Sequence, residues 1–290
     1  MGAIVSVMEY TAANERYYDY CLWEYRPLKN PENQLKSLNL LTNSFRSEGV
    51  LKEATKIMRA IQSGFGHSCT VWGIKQEGEK ICWELYFYDY AEIERTRSVS
   101  QLLAILSPWN ACAIHMNEQF PYFMFSIDFQ HKHFIENALL ENVQVYLVNA
   151  QSTVPSGICY EMKKTDIALK NFYFFFDAKS QMTHIVDKIR SSIFLDCSLL
   201  DIHAILWPDL VKCQTIVVAN KRTCDGIYFS RINIDQLIFF LKEMRYPTEQ
   251  ISFVENHKSK LDHLLYDVGF DYWMENGQIK ILKSSYYGVF

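Results

Sequence analysis

Residues 213–245 read CQTIVVANKRTCDGIYFSRINIDQLIFFLKEMR. The alternation predicts a strand over Gln214 to Asn220, a polar turn containing Asp225-Gly226, and a second strand from Ile227 to Ile232. An apolar-periodic helix follows, so the unit is β-turn-β-α. The returning strand carries a tyrosine among aromatic or aliphatic neighbours. That feature recurs in WELYFYD (83–89), VQVYLVN (143–149), NFYFFFD (171–177), GIYFSRI (226–232) and KSSYYGVF (283–290).

Working outward, the chain divides into five such hairpins. The first pairs SCTVWGIK with ICWELYFYD, and the second pairs PYFMFSIDF with NVQVYLVN across QHKHFIENALLE. The third runs from SGICYEMK to NFYFFFD, and the fifth turns at Asn276-Gly277, a strong hairpin signal. In the first hairpin Ile81, Trp83, Leu85 and Phe87 alternate with Cys82, Glu84, Tyr86 and Tyr88. In the second, Phe123, Phe125, Ile127 and Phe129 share one face, while Tyr122, Met124, Ser126 and Asp128 share the other.

Helical spacing is predicted from Asn30-Pro31-Glu32 through Leu35, Leu38, Leu41 and Phe45, and again from Val50 to Ile61 until Gly64 and Gly66. Further helices are expected at Val99 to Leu106, Met182 to Ile189 and Leu199 to Leu206. No Gly/Ser linker separates the units, so one domain is expected over 1–290: an N-terminal helical segment, 1–64, and five hairpin-helix units, 65–290. The predicted fold class is α+β, a ten-stranded antiparallel β-barrel with helices outside. The helices cover the apolar face, and closure removes strand edges and hides the mixed face in a lumen.

With 49% hydrophobic and 15% aromatic residues in 290, the chain can bury a large core. A net charge of −4 with interspersed signs gives no footprint for nucleic acid or an anionic membrane. The eight cysteines contain no CxxC and read as reduced, mostly buried thiols of a cytoplasmic protein. No apolar run reaches membrane-spanning length. The start MGAIVS fits the loose Met-Gly-x-x-x-Ser pattern for N-myristoylation, a pattern too short to carry an argument. His131-Lys132-His133 beside Asp128 is read as a solvated connection rather than a metal site. No DDxxD pair, GxSxG, P-loop or GxGxxG is present.

Over residues 65–290 the order of elements resembles the ABBA or PT-barrel fold of aromatic prenyltransferases, and most nearly the cyanobactin-type peptide prenyltransferases. That resemblance implies a transferase that moves an isoprenoid group from an allylic prenyl diphosphate to a peptide side chain or an aromatic small molecule. It implies tyrosines that shield a carbocation, Lys or Arg for the diphosphate, magnesium travelling with the diphosphate, and no organic cofactor. The alternative is a barrel without this chemistry that binds an apolar ligand or peptide.

By position, the resemblance points to Tyr86, Tyr146, Tyr173 and Tyr228 as the shield, and Trp72 is read as joining them. Lys75, Lys170, Lys283 and Lys280 are the candidates for the diphosphate. Lys280 and Lys283 have opposite parity, so without a bulge only one faces inward. Arg231 has the parity of the outer face. Two cationic positions of the relatives are occupied here by Gln144 and Gly226. Glu84, facing the first strand, is the expected general base in place of the acid that relatives carry there.

Overall fold

A computed structural model describes residues 8–12, 25–91, 93–114 and 116–290. The N-terminal MGAIVS lies outside these residues. The elements in chain order are α1 (Leu38–Ser47), α2 (Leu51–Phe65), β1 (Thr70–Glu77), β2 (Lys80–Tyr88), α3 (Val99–Leu106), β3 (Met124–Phe129), α4 (His131–Ile135), β4 (Asn142–Val148), β5 (Ser156–Lys163) and β6 (Ile167–Asp177). They continue with α5 (Met182–Arg190), β7 (Thr215–Lys221), β8 (Asp225–Ile232), α6 (Ile234–Glu243), α7 (Thr248–Asn256), α8 (Lys258–Leu261), β9 (Tyr266–Glu275) and β10 (Gln278–Val289).

Each strand pairs with its sequence neighbours, and β10 closes on β1, so the ten strands form a closed barrel. All its ladders are antiparallel. The helices lie outside. Period-two alternation sends one residue set to each side. Trp83, Leu85 and Phe87 pack outward against α1 and α2, and Ile227, Phe229, Val268 and Phe270 pack outward in the same layer. Polar edges of that layer are satisfied locally: the Trp83 indole donates to Ser44 Oγ at 2.9 Å. A capping box opens α6, where Asn233 and Gln236 exchange side-chain to backbone hydrogen bonds.

Several boundaries differ from the sequence reading. Pro31 does not start a helix: Leu35 forms an isolated bridge with Tyr10, and α1 begins at Leu38. The stretch from Leu199 to Leu206 holds only a three-residue 3-10 turn, Ile202–Ala204. Helix α7 was not expected at all. Asp225-Gly226 belongs to β8 rather than to the turn, since Asp225 pairs with Asn220 and Gly226 with Ala219. Phe123 precedes β3 and joins the lumen cluster, whereas Tyr122 packs outside, so the alternation there starts one residue later than expected. Of seven described cysteines, all free, three are buried, so "mostly buried" was too strong.

Candidate functional site

Each returning strand supplies one tyrosine to a ring across the lumen, five in all. Ring centroids are 6.2 Å apart for Tyr86 and Tyr146, 6.1 Å for Tyr146 and Tyr173, and 6.3 Å for Tyr173 and Tyr228. Tyr228 to Tyr287 is 6.4 Å, and Tyr287 to Tyr86 is 5.9 Å. Four members were expected. Tyr287 was missed because adjacent Tyr286 and Tyr287 leave the parity open until β10's bulge is placed; Tyr286 packs outside against Trp72 at 5.8 Å.

A repeated device pins the phenols. Residue i−2 on the same strand and face holds the hydroxyl: Tyr86 donates to Glu84, Tyr146 to Gln144 at 3.2 Å, and Tyr287 to Ser285 at 2.7 Å, while Tyr173 accepts from Asn171 at 2.8 Å. At Tyr228 this position is Gly226, and Lys221 of β7 donates to the hydroxyl instead, at 3.0 Å. Two glycines let rings lie flat on the neighbouring strand. A Cβ at Gly73 would stand 2.7 Å from the Tyr287 ring, and one at Gly269 2.2 Å from that of Tyr228. Burial, foremost, holds all five phenols above their ordinary range, helped by the charge of Glu84 at Tyr86 and of Asp271 at Tyr228. The girdle therefore stays neutral and presents π-faces.

The girdle divides the lumen. On one side lies an apolar chamber walled by Val71, Tyr88, Phe123, Met124, Phe175 and Val217. On the other lies a polar chamber that receives Lys75, Lys170, Lys221, Arg222 and Lys283 together with Glu84, Asp128, Glu161 and Asp271. All five girdle tyrosines line both. The lysines converge, but each meets a carboxylate. Lys75 pairs with Glu84 and with Asp128 at 2.6 Å. Lys221 and Lys283 share Asp271 at 2.6 and 3.2 Å, and Lys170 and Lys163 share Glu161, both at 3.0 Å.

Burial alone would push the Lys75 ammonium down, but Asp128 and Glu84 outweigh it and hold its pKa well above the usual lysine range. Burial wins at Lys221, which is held lower although Asp271 opposes. Asp271 sits below the usual carboxylate range because Lys221 and Lys283 overcome its burial.

Lys75, Lys170 and Lys283 therefore reach the polar chamber. A register shift between Ile281 and Lys283 brings Lys280 and Lys283 to the same face, but Lys280, opposite Trp273, is exposed and is not among the chamber's lining residues. Trp72 does not line the lumen: it packs in the outer layer, and its indole donates to the Val289 carbonyl at 2.8 Å. Its parity with Ile74, an outer residue, was the available signal. Arg231 sits at a bulge with φ 63° and donates to Gln214 at 2.6 Å, away from the chamber.

Lys221 was missed because the strand was read as ending at Asn220. Asp271 was missed because no local pattern singles it out.

Glu84 is 1% exposed. It accepts from Ser126 at 2.5 Å and from Tyr86, and it pairs with Lys75, so it meets charge and donors rather than a purely aromatic wall. Gln144, in a place where lysine was looked for, donates to Asp128 at 3.2 Å. His133 Nδ1 accepts from the Gln130 amide in the cap of α4. Among the described residues no group of three or more His, Cys, Asp or Glu is placed to hold a metal ion. None of the described helices is long and apolar enough to cross a membrane.

No protein-family model matches this chain, and no curated protein matches it. The lumen has to be read from its own residues.

Proposed function

We propose that the chain is a prenyltransferase of the PT-barrel kind, moving an isoprenoid group from an allylic diphosphate to a peptide side chain or aromatic small molecule. The observation that carries this reading is the closed girdle of five neutral tyrosines between a lysine-lined chamber and an apolar one. A diphosphate needs positive charge, an electron-poor allylic carbon needs π-faces, and both need water kept away. In this arrangement the head group sits among the chamber lysines, C1 lies at the girdle, and the apolar chamber receives the isoprenoid chain and the acceptor. Magnesium would arrive already coordinated by the diphosphate oxygens.

Glu84 is the carboxylate nearest the girdle that could take the acceptor's proton, and Tyr86, which donates to it and also lines the apolar chamber, is its route to that chamber. The test is incubation of the full chain with dimethylallyl and geranyl diphosphates and tryptophan- or tyrosine-containing peptides, following pyrophosphate release and saturation binding. Turnover with at least one acceptor is expected, and no binding at millimolar concentration would sink the reading. A second reading, a barrel that binds an apolar ligand or peptide without chemistry, is favoured by one observation: each chamber lysine already has a carboxylate partner. Saturable binding of an apolar ligand with no pyrophosphate release would support it.

A further inference from the structure

The polar chamber is electrically lopsided. On the wall formed by β1, β2 and β3, one ammonium, Lys75, stands against two carboxylates, Glu84 and Asp128. On the wall formed by β7, β9 and β10, Lys221 and Lys283 stand against the single carboxylate of Asp271, and Arg222 lines the same side at the rim. An incoming anion is repelled from the first wall and drawn to the second, which is more shielded from water than the equally charged corner where Lys163 and Lys170, 50% and 37% exposed, share Glu161.

The second corner is built around a missing side chain. Gly226 pairs with Asp271, and a Cβ there would lie 2.9 Å from Asp271 Oδ1 and 3.2 Å from Lys221 Cε. Asp271 is 6% exposed, with one oxygen on each lysine and the Tyr228 hydroxyl 3.4 Å away. The carboxylate thus occupies the position between two ammonium groups and a girdle hydroxyl that a phosphate oxygen would take.

We propose that Asp271 is a built-in competitor for the anion, so that a diphosphate head group binds the Lys221 and Lys283 corner by displacing this carboxylate. The proposal rests on reading the polar chamber as a diphosphate site. It also excludes Lys75 as the main anchor, since that lysine is held by two acids.

Isothermal titration of inorganic pyrophosphate into the full chain tests it. Asp271→Asn is expected to tighten binding about tenfold, the scale of one charged hydrogen bond released. Asp128→Asn removes a carboxylate from the opposite wall and is expected to change affinity less than about threefold, which separates local competition from general charge. Lys283→Met is expected to weaken binding about tenfold.

An Asp271→Asn protein that binds pyrophosphate no more tightly than the wild type would overturn the proposal. So would an Asp128→Asn protein that gains as much as Asp271→Asn. Should Asp271→Asn not fold, Lys283→Met decides, and wild-type affinity in that variant overturns the proposal. Pyrophosphate carries no isoprenoid chain, so these outcomes stand apart from prenyl transfer itself.

Discussion

The girdle tyrosines separate two contributions that a single substitution can distinguish. Tyr173 is neutral, and its hydroxyl only accepts from Asn171. Tyr173→Phe is therefore expected to keep transfer within about threefold, because the π-face remains. Tyr173→Ala removes the face and admits water. Its product mixture should shift toward free prenyl alcohol, read by chromatography of the isoprenoid products.

Lys75 carries a different expectation. Glu84 is buried beside it, so Lys75→Met strands a carboxylate without its countercharge and should cost about 3 kcal/mol of stability in urea unfolding at neutral pH. Unchanged stability would mean that Tyr86 and Ser126 suffice for Glu84. At this scale the sequence showed that Tyr86, Tyr146, Tyr173 and Tyr228 alternate toward the lumen, but it also put Trp72 and Tyr122 there, and both pack outside. It did not show that Glu84 is tied to Lys75 and Asp128 is tied to Gln144, because those contacts cross between strands.

At the scale of elements, hairpins were legible wherever period two ran unbroken, as in β2 and β4. The Asn276-Gly277 turn has φ 51° and 77°, the left-handed pair that a two-residue hairpin loop requires. Reading failed where register shifts. A bulge between Ser230 and Ile232 and another between Ile281 and Lys283 each insert a residue that no alternation rule anticipates. The second bulge decides both the face of Lys280 and which tyrosine of the last strand enters the girdle.

Gly269 tests the packing of one element on another. Its missing side chain leaves the place where the Tyr228 ring lies on β9, and an added Cβ would also come 2.6 Å from the Ile227 carbonyl. Gly269→Ala should lower stability by about 2 kcal/mol and displace Tyr228. Thermal unfolding reads the first effect, and weaker saturation binding of geranyl diphosphate reads the second.

Across the whole molecule, acid should loosen the seam where His263 lies beneath the segment at Leu28. His263 is fully buried, and its carbonyl accepts from the Leu28 amide at 2.9 Å. Burial pushes the imidazole down to about 4, with Asp262 and the Lys260 backbone opposing.

The unfolded chain, with an ordinary imidazole near pH 6.5, binds the proton first. Stability is therefore complete above about pH 6.5 and falls as pH drops toward 4, by about 3 kcal/mol from this group. Asp271 contributes its loss only below the ordinary carboxylate range. His263→Leu should flatten the slope between pH 6.5 and 4 in denaturant titrations, and an unchanged slope would assign the effect elsewhere.

By itself the sequence determined the five hairpins, helices α2, α3, α5 and α6, and the inward parity of Tyr86, Tyr146, Tyr173 and Tyr228, since periodicity is local and needs only an element's own residues. Only the tertiary structure decided that Tyr287 completes the girdle and that Lys221 and Lys283 share Asp271. The physical reason is that these depend on inter-strand register. Register is set by hydrogen bonds and bulges between segments far apart in the chain, and a charge has no partner until register brings one opposite it.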